Sequence, residues 1–590
     1  MIWKKYSNVD EGFVDKLCST FNITQFQGRL LFNRGINTIS KADKYLNGSY
    51  KDLYDPQLML NLDKAVEIIK ESIENGEKIT VYGDYDADGI TSVATAIRAL
   101  RNIGGECDYY IPHRKYEGYG MNLDAIRKIA KRGTKLIITV DNGIASIEEI
   151  KLAKSLGIKV VVTDHHSCPK ELPNDADVII NPHQPGETYP FNDLCGCGVV
   201  WKVLKRLYNL YYPEDDYIDE LLTFVGIGTV ADMMDLIDEN RILVKEGLKY
   251  INEASIVGIK ALIEVLKVDE VKSGDIGFRI GPTINADGRL KDAQKAVNLL
   301  LTDNYGEAVE LAEKLDETNR IRKEKTAECT ELAEKYIRDN KLEDSKVMVV
   351  YHHSFPEGLV GLIASRIKNK YNVPTFCFSK GRDFLKASAR GVEGHPFHLF
   401  NVLQENRELW IKSGGHAMAA GVSIEKSRSA LNAFNDTMNK VAEDLIGDKE
   451  FISDMFYDEI VNNPTEEMIR EIEILEPTGK ANSNAVFVTD DLGVLKADPV
   501  GDGTHLSLKL NNDTKFGVRA IAFGQTSKYQ ELGSPRNLRV AYQPTINVWT
   551  KRYNHGETKT YRSVQMRVID MQTNSEKQNV LISSFKRNAS

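Results

Sequence analysis

The stretch that decides the fold reads Lys78-Ile-Thr-Val-Tyr82-Gly-Asp84-Tyr-Asp86-Ala-Asp88-Gly-Ile-Thr91. Its first five residues form a short, mostly apolar run of strand length, and a helical pattern continues from Thr91 to Arg101. Between the strand and the helix, three carboxylates fall within five residues. A strand that leads through an acidic loop into a helix is typical of α/β domains, so the stretch predicts one here.

The surrounding sequence repeats this alternation of strand and helix. Three more apolar runs of strand length follow, at Lys135–Val140, Lys159–Thr163 and Asp177–Ile180. Helical patterns lie at Ala65–Asn75 and Ser146–Ser155. Strands that are apolar throughout, separated by amphipathic helices, predict a parallel sheet that is covered by helices on both faces.

Polar residues follow each of the four predicted strands. In chain order these are Asp84, Asp141, the group Asp164-His165-His166 and the group Asn181-Pro182-His183. In open parallel sheets, ligands bind beyond the carboxyl ends of the strands. These side chains are therefore expected along one edge of the sheet.

The carboxylates at this edge predict a site for divalent metal. Asp84, Asp86 and Asp88 would repel one another in a cleft of low dielectric, and bound cations would relieve that repulsion. Two alternatives for the acidic loop are capping of a helix N-terminus and a calcium loop, although Thr95 stands where an EF-hand has its bidentate Glu. Asp232 and the neighbouring imidazoles extend the set, and such a mixture suits manganese or magnesium.

The chain beyond residue 303 is organised differently. Residues 303–342 carry dense mixed charge with apolar residues at helical spacing, which predicts one long connecting helix. A second α/β unit is predicted from strands at Lys346–Tyr351 and Pro374–Phe378 and a helix at Leu359–Asn369. From about Glu476 onward, short alternating runs divided by Gly, Asn and Asp predict a small β-barrel or sandwich.

The composition is that of an ordinary globular protein. The chain has 590 residues, 42% of them hydrophobic and 27% charged, and about three or four domains are expected. Its net charge of −9 does not decide for or against nucleic acid, because an acidic metal site and a basic groove can coexist. The chain has no run of about 18 apolar residues, no signal-peptide core and seven scattered cysteines, so a cytoplasmic protein without membrane contact is expected. Cys195 and Cys197 are expected to pack where an apolar helix begins rather than to bind zinc.

Several motifs, in this order, resemble those of the DHH phosphoesterase superfamily. They are Gly83–Gly89, Asp141-Asn-Gly-Ile144 and Asp164-His-His166. Two more, Gly281-Pro-Thr-Ile-Asn-Ala-Asp-Gly-Arg-Leu290 and Ser413-Gly-Gly-His-Ala-Met-Ala-Ala-Gly421, are similar to those of its RecJ branch. The resemblance runs from about residue 25 to at least residue 510.

The resemblance implies an α/β fold in several parts. A DHH domain with a parallel sheet would be joined by a long helix to a smaller α/β domain, called DHHA1, and a β-barrel of the OB type would follow. The implied parts are an N-terminal helical lead-in (1–55), the DHH domain (56–300), the connecting helix (301–342), the DHHA1 domain (343–445), the OB-like domain (446–575) and a C-terminal tail (576–590).

The resemblance also implies a pair of metal ions, either Mn²⁺ or Mg²⁺. Asp86 and Asp88 would each hold one ion, and Asp141 would bridge the two. His165 and Asp232 would complete the set of ligands.

Two further residues have less defined roles. Asp84 and His166 would be additional ligands or would orient the ligands. Two metal ions can activate water and neutralise charge on the attacked phosphate, so Asp141 would be catalytic by holding them. His166 or a water molecule on a metal could protonate the departing oxygen, and the sequence does not choose between them.

Candidate contacts to the substrate lie farther along the chain. They are Asn285 and Arg289 in a glycine-rich loop, Ser388 and Arg390 in the second α/β unit, and Gly415 and His416. Arginine is well suited to bidentate phosphate contact, whereas the alternative for the first pair is a plain turn with a solvated arginine. Arg320 and Arg322 are equally compatible with phosphate contact and with a solvated helix face.

The β-rich segment would grip single strands through basic and aromatic side chains, as OB-folds do. Trp549, Lys551, Arg552 and Tyr553 supply such a mixture, although aromatic residues of β-domains are more often part of the core. The chain also departs from the pattern of the branch, with Phe355-Pro356-Glu357 where Trp-His is usual and Gly391 where Ser is usual. These departures concern end recognition and strand handling, whereas the metal residues of the pattern are intact.

The resulting hypothesis is an enzyme, a two-metal exonuclease on single-stranded DNA. Digestion in the 5′-to-3′ direction to mononucleotides, in recombination and repair, is expected from the resemblance. Expected partners are the DNA strand, a helicase and a single-strand-binding protein, and the chain is expected to be a monomer. The alternatives are an oligoribonuclease or cyclic-dinucleotide phosphodiesterase of the same superfamily, and a non-catalytic replication scaffold.

Overall fold

The computed structural model of the protein describes residues 1–447, 451–512, 514, 517–552 and 558–574. The chain divides into two compact units. One consists of Met1–Asn47 together with Asp454–Ser590, and the other is Gly48–Ser453. These units are larger than the parts implied by the sequence, so the finer domain boundaries stay a prediction.

The described residues contain the following strands, numbered in chain order: β1 (Ile2–Lys5), β2 (Ile79–Tyr82), β3 (Cys107–Tyr110), β4 (Leu136–Val140), β5 (Lys159–Thr163), β6 (Val178–Ile180), β7 (Met348–Tyr351), β8 (Thr375–Lys380), β9 (Leu385–Arg390), β10 (Lys412–Gly415), β11 (Ala419–Ile424), β12 (Asp454–Tyr457), β13 (Glu459–Ile460), β14 (Phe487–Val488), β15 (Leu492–Val500), β16 (His505–Asn511), β17 (Val518–Ala522), β18 (Asn537–Arg552) and β19 (Thr558–Gln572).

The helices of the described residues are α1 (Glu11–Phe21), α2 (Gln25–Asn33), α3 (Ile39–Asn47), α4 (Leu62–Glu74), α5 (Ala87–Asn102), α6 (Leu123–Lys131), α7 (Ile147–Ser155), α8 (Gly196–Tyr211), α9 (Tyr217–Glu220), α10 (Leu222–Ala231), α11 (Asp238–Glu253), α12 (Val257–Leu266), α13 (Ser273–Asp275), α14 (Gly281–Leu290), α15 (Gln294–Leu301), α16 (Tyr305–Asp339), α17 (Val360–Tyr371), α18 (Leu399–Glu405), α19 (Arg428–Ile446), α20 (Glu466–Ile472) and α21 (Thr526–Glu531). Short 3₁₀ segments lie at Tyr50–Asp52, Pro56–Leu58, Arg407–Leu409 and Glu473–Leu475.

A five-stranded parallel sheet with the order β3-β2-β4-β5-β6 lies at the centre of the larger unit. Its central strands β2 and β4 are buried along their whole length, as expected for strands with helices on both faces. The four strands predicted from the sequence are confirmed. The edge strand β3 was missed, because Cys107-Asp-Tyr-Tyr110 is only partly buried and carries a charged residue.

The helices that frame the acidic loop start with local caps. Helix α5 begins at Ala87, four residues before the predicted start, because the side chain of Asp86 accepts a hydrogen bond from the Gly89 amide at 3.1 Å. The expectation that Cys195 and Cys197 stand where an apolar helix begins is confirmed, since Cys195 caps α8 and both side chains are buried.

One local prediction is wrong. Asn285 and Arg289 do not lie in a glycine-rich loop, because residues 281–290 form helix α14 after a π-helical turn at Ile276–Ile280. Pro282 stands in the first turn, where a missing amide hydrogen costs nothing. Gly288 serves close packing, since a Cβ there would lie 2.3 Å from the Tyr85 carbonyl oxygen.

The long connecting helix and the second α/β layer are also confirmed. Helix α16 runs for 35 residues and leads into a mixed sheet with the order β10-β11-β9-β8-β7. Strands β7 and β8 are parallel, and the other neighbours are antiparallel. The core of this layer is formed by one face of the sheet with α18 and α19.

The smaller unit contains a closed five-stranded barrel. Strands β18, β15, β16, β17 and β19 pair in that order, and the pairing of β19 with β18 closes the ring. The N-terminal helices belong to this unit, because Leu17, Leu30 and Leu31 share a core with the barrel. The sequence offered no sign of this pairing between the two ends of the chain. In the part of the chain that the structure describes, no helix is both long and apolar enough to cross a membrane.

Candidate metal centre and phosphate pocket

Acidic and imidazole side chains converge at the carboxyl edge of the parallel sheet. Asp84, Asp86 and Asp88 follow β2, Asp141 follows β4, and the two histidines follow β5. Asp232 arrives from another direction, as the residue that ends α10. The residues that could hold a metal ion here are Asp84, Asp86, Asp88, Asp141, His165, His166 and Asp232.

One candidate ion site is centred on His165. Its Nε2 atom lies 3.1 Å from Oδ1 of Asp141, 3.8 Å from Oδ2 of Asp88 and 3.7 Å from Oδ2 of Asp232. Ligand atoms of Asp88, His165 and Asp232 lie within 4.8 Å of one another. One imidazole and several carboxylates at this spacing could surround a single divalent ion.

A second candidate site consists of carboxylates. Ligand atoms of Asp84, Asp86 and Asp141 also lie within 4.8 Å of one another. Asp141 therefore touches both groups, because one of its oxygens is also the nearest carboxylate atom to His165. This arrangement matches the bridging position expected of Asp141, and its role as a ligand stays a proposal.

The fit to metal can be tested on the hydrogen bonds of these carboxylates. Both side-chain oxygens of Asp84 and Oδ1 of Asp141 are buried, and within the described residues none of the three has a hydrogen-bond partner. A buried carboxylate without a partner is costly, and natural proteins rarely retain one without compensation. A divalent cation would supply that compensation, so the residues present fit the group.

The protonation states of the metal-free site point the same way. Burial and the neighbouring charge of Asp86 raise the pKa of Asp84 well above its usual value and that of Asp88 to about 6. Burial and the charge of Asp88 likewise raise the pKa of Asp141. Burial lowers the pKa of His165 to about 3, which keeps the imidazole neutral and able to offer a lone pair.

His166 differs from His165 because it is held by Asp164. Its Nδ1 atom lies 2.8 Å from Oδ1 of Asp164, and Asp164 also accepts hydrogen bonds from the amides of Ile144, His165 and His166. Although burial lowers the pKa of His166, the hydrogen bond and charge of Asp164 raise it to about 9. The hydroxyl of Tyr119 lies 3.1 Å from Nε2 on the other side of the ring.

The backbone at Asp141 is unusual and is held from two sides. Asp141 has a positive φ of 61°, a left-handed conformation that Asp tolerates better than most residues. Its amide donates to the carbonyl of Thr163 at 3.1 Å. Gly196, the first residue of α8, packs so closely that a Cβ there would lie 2.5 Å from Cβ of Asp141.

The N-terminus of α8 also orients Asp88. The amides of Gly196 and Cys197 donate to the two carboxylate oxygens of Asp88, at 2.6 and 3.0 Å. The positive end of a helix dipole favours the ionised carboxylate at this position. Gly196 therefore positions two candidate ligands at once, which the sequence motif around it did not suggest.

Four arginines cluster beside the carboxylates. They are Arg114, Arg289, Arg322 and Arg390, and within the described residues none of them forms an ion pair with a carboxylate. Burial and the positive charges of Arg114, Arg322 and Arg390 lower the pKa of Arg289 to about 9. A cluster of cations without anionic partners is suited to bind phosphate.

Arg114 is the member that sequence reasoning missed. It follows the overlooked edge strand β3, so the rule about the carboxyl ends of parallel strands would have found it had that strand been recognised. Its guanidinium lies over the ring of Tyr85, 3.9 Å from the centroid. Tyr85 stands between Asp84 and Asp86 in the chain, so the arginine cluster adjoins the acidic loop.

The second α/β layer completes the pocket. Arg390 donates to Oγ of Ser388 at 3.1 Å, and Arg289 lies near the carbonyl oxygen of Gly358 at 3.5 Å. A Cβ at Gly361, near the start of α17, would meet the Arg390 guanidinium at 2.8 Å, so this helix N-terminus also faces the pocket.

The remaining candidates are distributed unevenly. Asn285 lies one turn before Arg289 on α14. Arg320 pairs with Glu317 and Glu324 on the solvated face of α16, whereas Arg322 is half-buried in the cluster, so the two arginines differ in role. Gly415 ends β10, and His416 stands exposed in the turn that follows.

The two departures from the expected pattern have structural explanations. Phe355 is buried in the core between α16 and α17, so the Phe-Pro-Glu segment serves packing. Gly391 is buried, and a Cβ there would lie 3.1 Å from the carbonyl oxygen of Ala417 and 3.3 Å from Cα of Met418. Glycine thus allows the turn next to His416 to pack tightly.

The barrel carries a strip of aromatic and basic side chains. Trp549 on β18 stacks on Tyr561 of β19, with ring centroids 5.6 Å apart, and the Arg519 guanidinium lies 5.2 Å from the Trp549 centroid. Lys509, Arg519 and Trp549 border a cavity of about 450 Å³. Tyr553 lies outside the described residues, as do the side chains of Lys551 and Arg552.

Comparison with known families gives three matched regions. Residues 78–229 match the DHH family, N-terminal domain, residues 344–444 match the DHHA1 domain, and residues 460–555 match the RecJ OB domain.

Curated proteins and solved structures agree with this order. The single-stranded-DNA-specific exonuclease RecJ of Escherichia coli is 33% identical over 88% of this chain and 95% of its own length. The protein of the same name from Bacillus subtilis is 34% identical over 92% of this chain and 68% of its length. The crystal structure of RecJ in complex with Mn²⁺ from Thermus thermophilus superposes with a TM-score of 0.79 at 26% identity, covering 97% of this chain and 79% of that one.

Proposed function

Because the chain belongs to the RecJ family of single-stranded-DNA-specific exonucleases, we propose that it is a metal-dependent exonuclease that digests single-stranded DNA. Digestion begins at the 5′ end and releases mononucleotides. One alternative, a non-catalytic scaffold, is disfavoured because all the candidate ligands are present and lie close together.

The proposal depends above all on the juxtaposition of two opposite charge clusters. Buried carboxylates without hydrogen-bond partners in the described residues lie next to an arginine cluster without acidic partners, and Tyr85, which stands between Asp84 and Asp86 in the chain, packs against the Arg114 guanidinium. An exonuclease needs both features, since it must hold the terminal phosphate and attack the next phosphodiester. Only one nucleotide then separates the recognised end from the cleaved bond.

The residues that would hold metal form two overlapping sets. Asp88, His165 and Asp232 would hold one ion, Asp84 and Asp86 would hold a second, and Asp141 would belong to both. These oxygen and imidazole ligands suit Mn²⁺ or Mg²⁺. The ions, when bound, would activate water and neutralise charge on the attacked phosphate.

The protein's own residues would contribute three further effects. The arginine cluster would bind and orient the end of the strand, which brings the next phosphate to the carboxylate site. Asp164 holds His166 in a protonated state, so that His166 can stabilise the departing oxygen or give it the proton on its ring. The amides of Gly196 and Cys197 hold the Asp88 carboxylate in place, so that it need not reorient during the reaction.

The barrel strip would bind the part of the strand that trails behind the reacting end. Stacking of bases on Trp549 and Tyr561 and contacts of phosphates with Arg519 and Lys509 need no particular sequence. A helicase and a single-strand-binding protein would supply and present the single strand, in recombination and repair within the cytoplasm. The chain would act as a monomer.

The test is digestion of DNA labelled at either end, with Mn²⁺ titrated into metal-free protein. Shortening from the 5′ end is expected, and Asp141→Ala should lower the rate at least about 100-fold because both ion sites lose a ligand. Asp124→Ala, which removes an acid whose side chain is 83% exposed, is the matched control. Release of internal fragments alone, or full activity in Asp141→Ala, would refute the proposal.

A further inference from the structure

A large cavity opens on the side of the metal centre that lacks arginines. Its volume is about 1140 Å³, and Asp164, His166 and His416 form part of its wall. The cavity therefore communicates with the reacting centre. It is larger than the roughly 300–1,000 Å³ of typical small-molecule pockets, so it has room for more than one nucleotide.

The wall of this cavity is chemically different from the arginine pocket. Exposed rings of Tyr119, His398 and Phe400 line it, together with the apolar side chains of Met121 and Ile144. Among the described residues that line it, none is an arginine. Such a wall suits the faces of nucleobases better than their phosphates.

The aromatic rings come from two separate segments of the larger unit. Tyr119 lies in the segment between β3 and α6 and is fixed by edge contacts with Tyr85 and His166, with ring centroids 6.5 and 5.7 Å away. Phe400 lies in the first turn of α18, whose cap is His398, and 38% of its surface is exposed. Exposed aromatic rings that two segments bring to one cavity are typical of a ligand-binding surface.

The charges around the cavity agree with an extended strand. Lys412, exposed on the edge strand β10, also belongs to the wall and can meet the backbone of the strand. Gly414 and Gly415 beside it leave that backbone room to approach. The acidic residues of the wall, Glu149 and Asp164, are few, and Asp164 is occupied by His166.

We propose that this cavity is a stacking subsite for the nucleobases on the 3′ side of the cleaved bond, with Phe400, His398 and Tyr119 as the contacting rings. The inference rests on the proposed function, because it takes single-stranded DNA as the occupant. The arginine pocket then holds the terminal phosphate, and the cavity holds the next bases. Stacking on flat rings is independent of base identity, so the subsite grips any sequence.

The test uses metal-free full-length protein, in which DNA binds without being cut. Oligonucleotides with a 5′ phosphate carry a single 2-aminopurine, moved one position at a time from the 5′ end, and its fluorescence is quenched when it stacks. Wild type is expected to quench at two or three positions behind the end. Phe400→Ala should lose this quenching and bind about 5- to 100-fold more weakly.

A second readout is independent of fluorescence. Cys168 lines the cavity and is half-buried, so bound DNA should slow its alkylation in wild type, as followed by mass spectrometry of the peptide that contains it. Phe400→Trp keeps a flat ring and should retain the quenching and the protection. Phe384→Ala, which removes a phenylalanine with the same 38% exposure outside the cavity, is the matched control and should behave as wild type.

Several outcomes would overturn the inference. It would be overturned if Phe400→Ala showed undiminished quenching, or if Phe384→Ala lost as much quenching as Phe400→Ala. It would also be overturned if bound DNA did not slow the alkylation of Cys168 in wild type. Digestion of end-labelled DNA by wild type with Mn²⁺ distinguishes failure of the subsite from failure of the proposed function. If wild type digests the strand while Phe400→Ala stacks bases normally, only the subsite is refuted, whereas absence of digestion refutes the proposed function.

Discussion

Asp84 is a candidate metal ligand whose burial costs stability when no metal is bound. Its carboxylate is almost completely buried, neither oxygen has a hydrogen-bond partner in the described part of the chain, and Asp86 lies nearby. Without metal, the ionised form is therefore unfavourable, and burial raises the pKa of Asp84 above its usual value. The same isolation leaves both oxygens available to a cation.

The first prediction concerns Asp84→Asn and its dependence on pH. A carboxyl group whose pKa is raised in the folded state binds more protons there than in the unfolded chain, so its contribution to stability falls as pH rises. Asp88, whose pKa is raised to about 6, loses its contribution to stability between about pH 4, near the usual pKa of Asp, and about pH 6. Replacing Asp84 removes one of the mutually repelling charges, and the amide can donate to the remaining carboxylates.

The expected result is a gain in the free energy of unfolding of metal-free protein, about 1–3 kcal/mol at pH 8 and little at pH 4. The gain should vanish or reverse when Mn²⁺ is added, because the variant binds the ion more weakly. Urea unfolding in EDTA and in Mn²⁺ measures both effects, with Asp124→Asn as the exposed control. Equal stability of Asp84→Asn and wild type at pH 8 without metal would contradict this account.

At the scale of elements, the start of α8 positions two of the candidate metal ligands. Its first two amides bind Asp88, and its first residue packs against Asp141. The helix thus joins two loops that are 53 residues apart in sequence, at positions 88 and 141. A helix N-terminus can hold carboxylates in this way because its amides lack partners within the helix.

The second prediction is that Gly196→Ala disables the centre. The added methyl group would lie 2.5 Å from Cβ and 2.7 Å from Oδ1 of Asp141, so either Asp141 or the helix must shift. Activity should fall about 100-fold and the midpoint for Mn²⁺ activation should rise, because two ligands are displaced. Stability should fall by about 1–3 kcal/mol through overpacking.

The control for this variant lies two residues along the same helix. A Cβ at Gly198 would have its nearest neighbours at 3.6 and 3.7 Å, which are ordinary contact distances. Gly198→Ala should therefore retain activity and gain slightly in helix stability. Manganese titrations of the two variants, followed by nuclease rate, distinguish a specific clash from a general effect of glycine replacement. Equal loss of activity in both variants would contradict this prediction.

At the scale of the whole molecule, we expect the larger unit to hold the reacting end of the strand and the smaller unit to bind the trailing part. The larger unit holds the metal centre, the arginine pocket and the cavity, and the smaller unit holds the barrel with Trp549 and Arg519. A strand that engages two sites gains affinity through effective concentration. Affinity should therefore increase with strand length up to the length that reaches both units.

The third prediction is that Trp549→Ala weakens binding of long strands more than that of short ones. Loss of one stacked base costs about 1–3 kcal/mol, so the affinity for a 20-nucleotide strand should fall about 5- to 150-fold. The affinity for a trinucleotide should change much less. Fluorescence anisotropy with metal-free protein measures both lengths, and Phe523→Ala is the matched control, since Phe523 is exposed elsewhere on the barrel. Equal weakening of binding at both lengths would contradict the expectation that the barrel binds only the trailing part of the strand.

Much of the fold could be predicted from the sequence because its signals are local. The period of apolar residues identified the strands β2, β4, β5 and β6 and the long helix α16, and the acidic loop after β2 identified the carboxyl edge of the sheet. The prediction failed where local signals conflict with packing. Strand β3 is only partly buried and carries a charged residue at the edge of the sheet. Helix α14 contains Pro282 in its first turn and Gly288 where the chain approaches Tyr85 closely, and both residues resemble loop signals.

The sequence by itself determined which residue types are present and after which strands they stand, since strand periodicity and chain order are one-dimensional properties. Only the tertiary structure decided that Gly196 holds Asp88, that Arg114 joins Arg289, and that Phe400 faces the cavity beside His166. These pairs are far apart in the chain, and their distances depend on how helices and loops pack. Packing is set by the shape of the whole core, which no local pattern encodes.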